Sequence, residues 1–477
     1  MVQYPLQHRE RMEGYFLSDF SHLNEYRRSA VLYSKRIKYS SDNINMSNKR
    51  NNRKKLTAVS IVAIAVIGIL IALNLSGILQ KDRSQNEPVT RVAEDDSDNN
   101  SDTEQSDRLK SSSKAGKSGE TENSQDSDPV KTRLDQMTTD EKMGQLFIVV
   151  PDSITGASPT IAAGKRTYNA INKYKLCGFI YMSANLTGPD QTRNMLKTTK
   201  QYYDELGLPV PFLCVDEEGG SVARIANNPD FNVKSYPDMI TIGESGDVNK
   251  AAEAGSTIGS YLHDLGFNTD FAPCADVLTN PNNTVVAKRS FGSDPDLVKN
   301  MTKAFSKSLL KNNVIPTLKH FPGHGATSED SHSGAAYTNK TLDEMIDNEL
   351  VPFTDVDEYA PMIMAGHISA PNITGDNTPA SLSKKMITEI LRKKLGYSGI
   401  IITDAMNMGA VADNYSCGDA CVMAIKAGCD IILAPSDIDA GISAVRNAVS
   451  SGEISEKRLD KSVYRILKVK QQLADNA

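Results

Sequence analysis

No two of the six cysteines in this 477-residue chain have the CxxC spacing of a metal-ligand pair, which excludes the thiolate zinc modules. Cys177, Cys214, Cys274, Cys417, Cys421 and Cys429 all lie past the first third of the chain. Cys214 and Cys274 fall in predicted strands, so buried free thiols are the expected state; one disulfide among Cys417, Cys421 and Cys429 is left open. Net charge is also scarce, at only −6, but it is unevenly spread. Charge is missing altogether from residues 56–79, and residues 81–129 have almost nothing to bury.

These gaps divide the chain. Residues 1–55 are a basic tail ending in Lys49-Arg50-Asn51-Asn52-Arg53-Lys54-Lys55. Residues 56–79 are apolar apart from Thr57, Ser60, Asn74 and Ser76, long enough as a helix to cross a hydrocarbon core of about 30 Å. A basic flank followed by an apolar span argues for a membrane rather than a nucleic acid. It places the N-terminus in the cytoplasm and the rest of the chain outside, as a single-pass protein of the cell membrane. A cleaved signal peptide does not fit, because the charged region is too long and no small-x-small site follows. Residues 80–130, rich in Ser, Asp, Glu and Asn, cannot offset their ordering entropy and read as a disordered linker. One domain, 131–477, remains.

In that domain eight short apolar runs, 145–150, 178–182, 211–215, 269–274, 316–320, 361–366, 399–403 and 429–434, alternate with segments of helical spacing. The helical segments include 297–310, 385–395 and 438–449. Continuous apolar strands between helices mean a parallel sheet buried on both faces. Eight such units predict an α/β fold, a (β/α)8 TIM barrel, with a doubly wound open sheet as the alternative.

A barrel puts its chemistry at the C-terminal ends of its strands. The third run ends in Asp216-Glu217-Glu218-Gly219-Gly220, with Arg224 just beyond; the fourth leads to Asp276 and then Arg289-Ser290-Phe291-Gly292. The fifth ends in Lys319-His320-Phe321-Pro322-Gly323-His324-Gly325 and continues to Asp330-Ser331-His332. The sixth ends in His367, the seventh in Asp404 and the eighth near Ser436 and Asp437. Three of the seven histidines thus fall within thirteen residues of one loop.

Asp404, fixed at the edge of a buried strand, suits a nucleophile that must attack one carbon along one line. Its bland alternative is a helix N-cap. Retaining glycoside hydrolysis needs a second group, which protonates the leaving oxygen and later deprotonates water. The His332 imidazole has the pKa for both tasks, and Asp330 is placed to orient it. Asp216, Arg224, Arg289, Lys319 and His320 offer donors and acceptors for sugar hydroxyls. No metal is expected, because Pro322-Gly323 keeps His320 and His324 off one helical face.

The three strand-end blocks, Asp216-Glu217-Glu218-Gly219-Gly220, Arg289-Ser290-Phe291-Gly292 and Lys319 to His332, together with Ile402-Thr403-Asp404-Ala405-Met406, closely resemble those of glycoside hydrolase family 3, in its single-domain β-N-acetylglucosaminidase branch. The resemblance covers roughly residues 131–475. It implies a cofactor-independent, retaining exo-glycosidase that removes terminal β-linked N-acetylglucosamine (GlcNAc) from peptidoglycan fragments or other glycans. In that reading Asp404 is the nucleophile, Asp330 and His332 are the acid/base dyad, and Asp216, Arg224, Arg289, Lys319 and His320 bind sugar. Glu217 departs from the pattern, since a glutamine is common there. The chain ends without room for the second domain that carries the acid/base glutamate in other branches, and the catalytic domain is expected to be monomeric. The alternatives are a β-glucosidase or GlcNAc phosphorylase of the same family, and a non-catalytic surface glycan-binding protein.

Overall fold

The computed structural model describes residues 128–327, 334 and 336–475. The predicted tail, membrane helix and nearly all of the linker lie outside the described residues, as do Asp330 and His332. Among the described residues no helix is long and apolar enough to cross a membrane. The domain starts slightly before residue 131: Pro129–Gln136 is a helix, because Asp128 caps it through Oδ1 to Val130 N (3.0 Å) and Tyr464 anchors the cap.

Eight parallel strands form the barrel: β1 (Phe147–Val149), β2 (Gly178–Ile180), β3 (Phe212–Val215), β4 (Thr269–Asp270), β5 (Ile315–Phe321), β6 (Met362–Ala365), β7 (Ile400–Ala405) and β8 (Ile431–Leu433). Each pairs with its neighbours in sequence, and β1 pairs with β8, so the sheet closes. Ile148 sits opposite Gly178 on one side and Leu433 on the other. Every expected run became a strand in the expected order. Nearly all their side chains are buried, as a sheet covered on both faces requires.

Several strands are shorter than their apolar runs. The regular β4 ladder spans only Thr269 and Asp270, ahead of Pro273, which brings no N–H. Backbone hydrogen bonding nevertheless continues to Ala275 N, which donates to Lys319 O at 2.5 Å.

The outer ring consists of α1 (Lys165–Tyr174), α2 (Pro189–Glu205), α3 (Val248–Leu265), α4 (Pro295–Lys311), α5 (Leu342–Ile346), α6 (Lys385–Lys394), α7 (Cys417–Ala427), α8 (Ile438–Ser450) and α9 (Glu456–Asp475). Short polar residues start several of them: the Asp247, Asp294, Ser416 and Asp437 side chains accept N–H groups of the first turns of α3, α4, α7 and α8. Each such cap contributes about 1 kcal/mol. The α6 segment, expected as an ordinary helix, is wound as a π-helix, with Leu395 N bonded to Ile390 O at 2.9 Å.

Polar groups close the N-terminal floor of the barrel. Lys470 of α9 is buried and donates to Gln145 Oε1 (2.7 Å) and Cys177 O (2.8 Å), with its ammonium 5.2 Å from the Phe212 ring centroid. Burial pushes its pKa down. Asp430, just before β8, accepts from Ile401 N (3.0 Å) and Ser462 Oγ (2.6 Å) and pairs with Arg392 and Arg465. Floor and mouth are thus built from separate sets of charges.

Candidate active site

The mouth is organised by a short hairpin, Glu217–Gly219 against Val222–Ala223, that follows β3. Successive side chains in extended backbone point to opposite sides. Asp216 and Glu218 therefore face the barrel axis, and Glu217 faces away. Glu217 is buried behind the site and accepts from Ile225 N (2.7 Å), Ala226 N (2.9 Å) and the Tyr261 hydroxyl (2.7 Å). Burial raises its pKa. Glu217 thus supports the hairpin from behind.

Toward the axis, Lys319 of β5 reaches both acids, with Nζ 2.8 Å from Asp216 Oδ1 and 2.6 Å from Glu218 Oε1. Arg289 binds Glu218 with both prongs of its guanidinium, Nε–Oε2 2.8 Å and Nη2–Oε1 2.7 Å. Arg224 closes on Asp216 Oδ2 at 3.4 Å. Three strand ends, those of β3, β4 and β5, are joined in this way by one alternating chain of charges. Burial alone would raise the Glu218 pKa; Arg289 and Lys319 outweigh it and pull the carboxyl down to about 2. The same acids hold the Lys319 ammonium above its ordinary range, against its burial.

His320 is positioned from the opposite side by Asp276, whose Oδ2 lies 2.7 Å from His320 Nδ1. Arg289 Nη2 lies 3.2 Å from His320 Nε2, and an arginine can only donate. The proton of a neutral His320 therefore sits on Nδ1, directed at Asp276. Asp276 Oδ1 also accepts the backbone N–H of His324 at 2.5 Å. Burial would raise the Asp276 pKa, but His320 and His324 hold it well below the carboxylate range. His324 itself is part of the turn, its Nδ1 2.8 Å from Thr327 Oγ1.

Asp404 stands at the end of β7, half-buried, with Oδ1 accepting its neighbour's N–H from Ala405 at 2.7 Å. Burial pushes its pKa up, but His320, His367, the Ala405 N–H and Lys319 together hold it below the ordinary value. His367, after β6, secures this strand end: Nε2 lies 3.0 Å from Ala405 O and Nδ1 2.8 Å from Ser381 Oγ. Asp404 caps no helix here, so the bland alternative does not apply.

Asp216, Arg224, Arg289, Lys319 and His320 are thus brought together, with Asp404 under the electrostatic influence of His320 and Lys319. Asp330 and His332 lie outside the described residues. Sequence reasoning assigned no role to Glu218, Asp276 or His367. The signal for Glu218 was present: two residues on from Asp216 in an extended segment puts both carboxylates on one face. Cys274, Asp276 and His320 cluster closely enough to hold a metal ion, but Asp276 Oδ2 is already engaged by His320 Nδ1 and by the Cys274 thiol at 3.1 Å.

Arg289 depends on close backbone packing. A methyl group at Gly243 would lie 1.6 Å from Phe291 O. Gly243→Ala is therefore expected to push the 289–292 segment aside and to cost about 1–3 kcal/mol, read as a lower midpoint in urea denaturation.

Comparison with known proteins finds relatives of this chain. β-Hexosaminidase A of Pseudoalteromonas piscicida is 32% identical over 333 residues, which are 64% of this chain and 55% of that protein. β-Hexosaminidase LpqI of Mycobacterium tuberculosis is 34% identical over 274 residues, 55% of this chain and 69% of that one. The glycoside hydrolase family 3 β-N-acetylglucosaminidase structure from Paenibacillus sp. str. FPU-7 superimposes with a TM-score of 0.67 at 33% identity, covering 72% of this chain and 64% of that chain. This chain therefore spans little more than half the length of the first of these relatives. Residues 138–469 match the glycosyl hydrolase family 3 N-terminal domain, and with the barrel and its mouth as described, the chain belongs to glycosyl hydrolase family 3.

Proposed function

We propose that the chain is a retaining exo-β-N-acetylglucosaminidase acting on terminal β-linked GlcNAc. The observation that carries this reading is an aspartate, Asp404, whose surroundings favour its ionised form, at the end of a barrel strand beside a preformed ring of sugar-binding groups. The relatives named β-hexosaminidase support the choice of sugar.

In this mechanism Asp404 attacks the anomeric carbon while His332, oriented by Asp330, gives a proton to the departing oxygen. A covalent glycosyl-enzyme results, and the same imidazole then takes a proton from the incoming water. Asp216 and Glu218 accept sugar hydroxyls; Lys319, Arg289, Arg224 and the His320 ring hold the acceptors in place. Residues 56–79 anchor the domain to the cell surface, where peptidoglycan fragments are the GlcNAc-ended substrates at hand.

The test is an aryl β-GlcNAc assay of wild type and His332→Ala, with and without phosphate, beside the aryl β-glucoside. Clear preference for the GlcNAc substrate and a loss of roughly 10²–10⁴-fold in His332→Ala are expected. Faster turnover of the glucoside overturns the sugar assignment, and a sugar 1-phosphate product overturns hydrolysis.

A further inference from the structure

The thiols of Cys417 and Cys421 occupy the first turns of α7, one helical turn apart on the same face. Both lie over the bare backbone of Gly441 in α8: a methyl group there would be 3.1 Å from Cys421 Sγ and 3.9 Å from Cys417 Sγ. Cys417 is half-buried, whereas Cys421 is buried, as are Cys177, Cys214, Cys274 and Cys429. Cys417 Sγ is also clasped by the backbone of Asp437 beyond β8, donating to its carbonyl at 3.2 Å and accepting from its N–H at 3.4 Å.

We propose that Cys417 and Cys421 form a redox-active pair, with Cys417 the attacking thiolate and Cys421 the resolving thiol, that hydrogen peroxide converts to a disulfide. The surroundings favour the thiolate: the Cys421 S–H, the Ser436 hydroxyl and the Asp437 N–H pull Cys417 down to about 6, against partial burial and the Asp437 carboxylate. Its place in the first turn of an eleven-residue helix acts in the same direction.

The chemistry balances. The Cys417 thiolate attacks one peroxide oxygen, the O–O bond breaks, and the departing hydroxide takes up a proton to leave as water. Cys421 sulfur then attacks the resulting sulfenic sulfur; its own proton leaves with the second hydroxide as water. Two thiols lose two electrons and one peroxide gains them.

Residues four apart in a helix are separated by about 6 Å along the axis, within the Cα range of disulfides. Their Cβ atoms, however, are about 5–6 Å apart and must draw in to roughly 4 Å. Closure therefore pulls Cys417 toward Cys421 and off Asp437. This releases the chain between β8 and α8, one of the eight loops that frame the mouth. The inference does not rest on the carbohydrate chemistry proposed above.

The intact chain is treated with a small excess of hydrogen peroxide, alkylated under denaturing conditions and mapped without reductant by mass spectrometry. A Cys417–Cys421 disulfide is expected, with the other four cysteines recovered alkylated. Cys421→Ser should stop at a Cys417 sulfenic acid that dimedone traps, and Cys417→Ser should slow oxidation of Cys421 at least roughly tenfold. The proposal is overturned if the four buried thiols oxidise as fast as Cys417. It is overturned equally if folded Cys421→Ser yields no dimedone adduct, or if wild-type Cys417 reaches sulfonic acid while Cys421 remains alkylated.

Discussion

Asp404→Ala is expected to lower kcat/KM by at least ~10⁴-fold, about 5 kcal/mol of transition-state stabilisation, while the domain stays folded. The barrel does not need this side chain: the hydrogen bond it accepts is local, from the N–H of the next residue. The chemistry does. On the proposed retaining mechanism no covalent intermediate can form without the carboxylate, and neither the proposed sugar-binding groups nor the proposed acid/base pair can replace it. A second readout separates a nucleophile from a mere contact. Azide added to Asp404→Ala should enter the vacated space and yield an α-glycosyl azide from an aryl β-GlcNAc. A variant that keeps wild-type turnover removes Asp404 from the mechanism.

Glu218→Ala should have the largest effect on stability. Its carboxylate is buried and holds both Arg289 and Lys319, and removing it leaves the buried Arg289 without its carboxylate partner and Lys319 with Asp216 alone. Breaking such a pairing costs about 3–5 kcal/mol, visible as a lowered denaturation midpoint. Glu218→Gln keeps the shape but loses the charge, and offers a milder variant if Glu218→Ala fails to fold.

The same residue sets an acid limb. Its folded pKa, about 2, lies below the ordinary 4.5, so the folded state binds the proton less readily than the unfolded chain. The stabilisation is complete above the ordinary value and is lost as pH falls toward the folded one, roughly 3 kcal/mol in all. Urea midpoints measured from about pH 7 down to about pH 3 should fall less steeply in Glu218→Gln than in wild type. Parallel slopes would contradict the assignment of this carboxylate as the charged hub.

Much of this architecture is legible in the sequence, for a specific reason. A strand covered on both faces must be apolar throughout, so 399–403 or 361–366 stand out without any need to judge a period. The polar residue where each run stops then marks the mouth, which is how Asp404, Lys319 and Asp216 are found. What stays hidden is pairing. Asp276 appears in the sequence as one more strand-end acid, and only the fold brings it 2.7 Å from His320, some forty residues on. Glu217 and Glu218 look interchangeable until a hairpin turns one outward and the other in. The π-helical winding of α6 has no sequence mark either, because its apolar spacing serves an ordinary helix equally well. Cys417 and Cys421 are visible as neighbours, but their clasp on Asp437 depends on how β8 leads into α8.

The pairing of β1 with β8 has a consequence for how the protein is made. Residue 148 leaves the ribosome long before its partner at 433, so β1 has one unpaired edge for most of synthesis. The floor is finished later still, when Lys470 reaches Gln145 and Cys177. Ring closure is therefore a late event that joins the two ends of the domain in one cooperative step. Interruption of translation before β8 leaves an open, adhesive sheet rather than a smaller closed barrel.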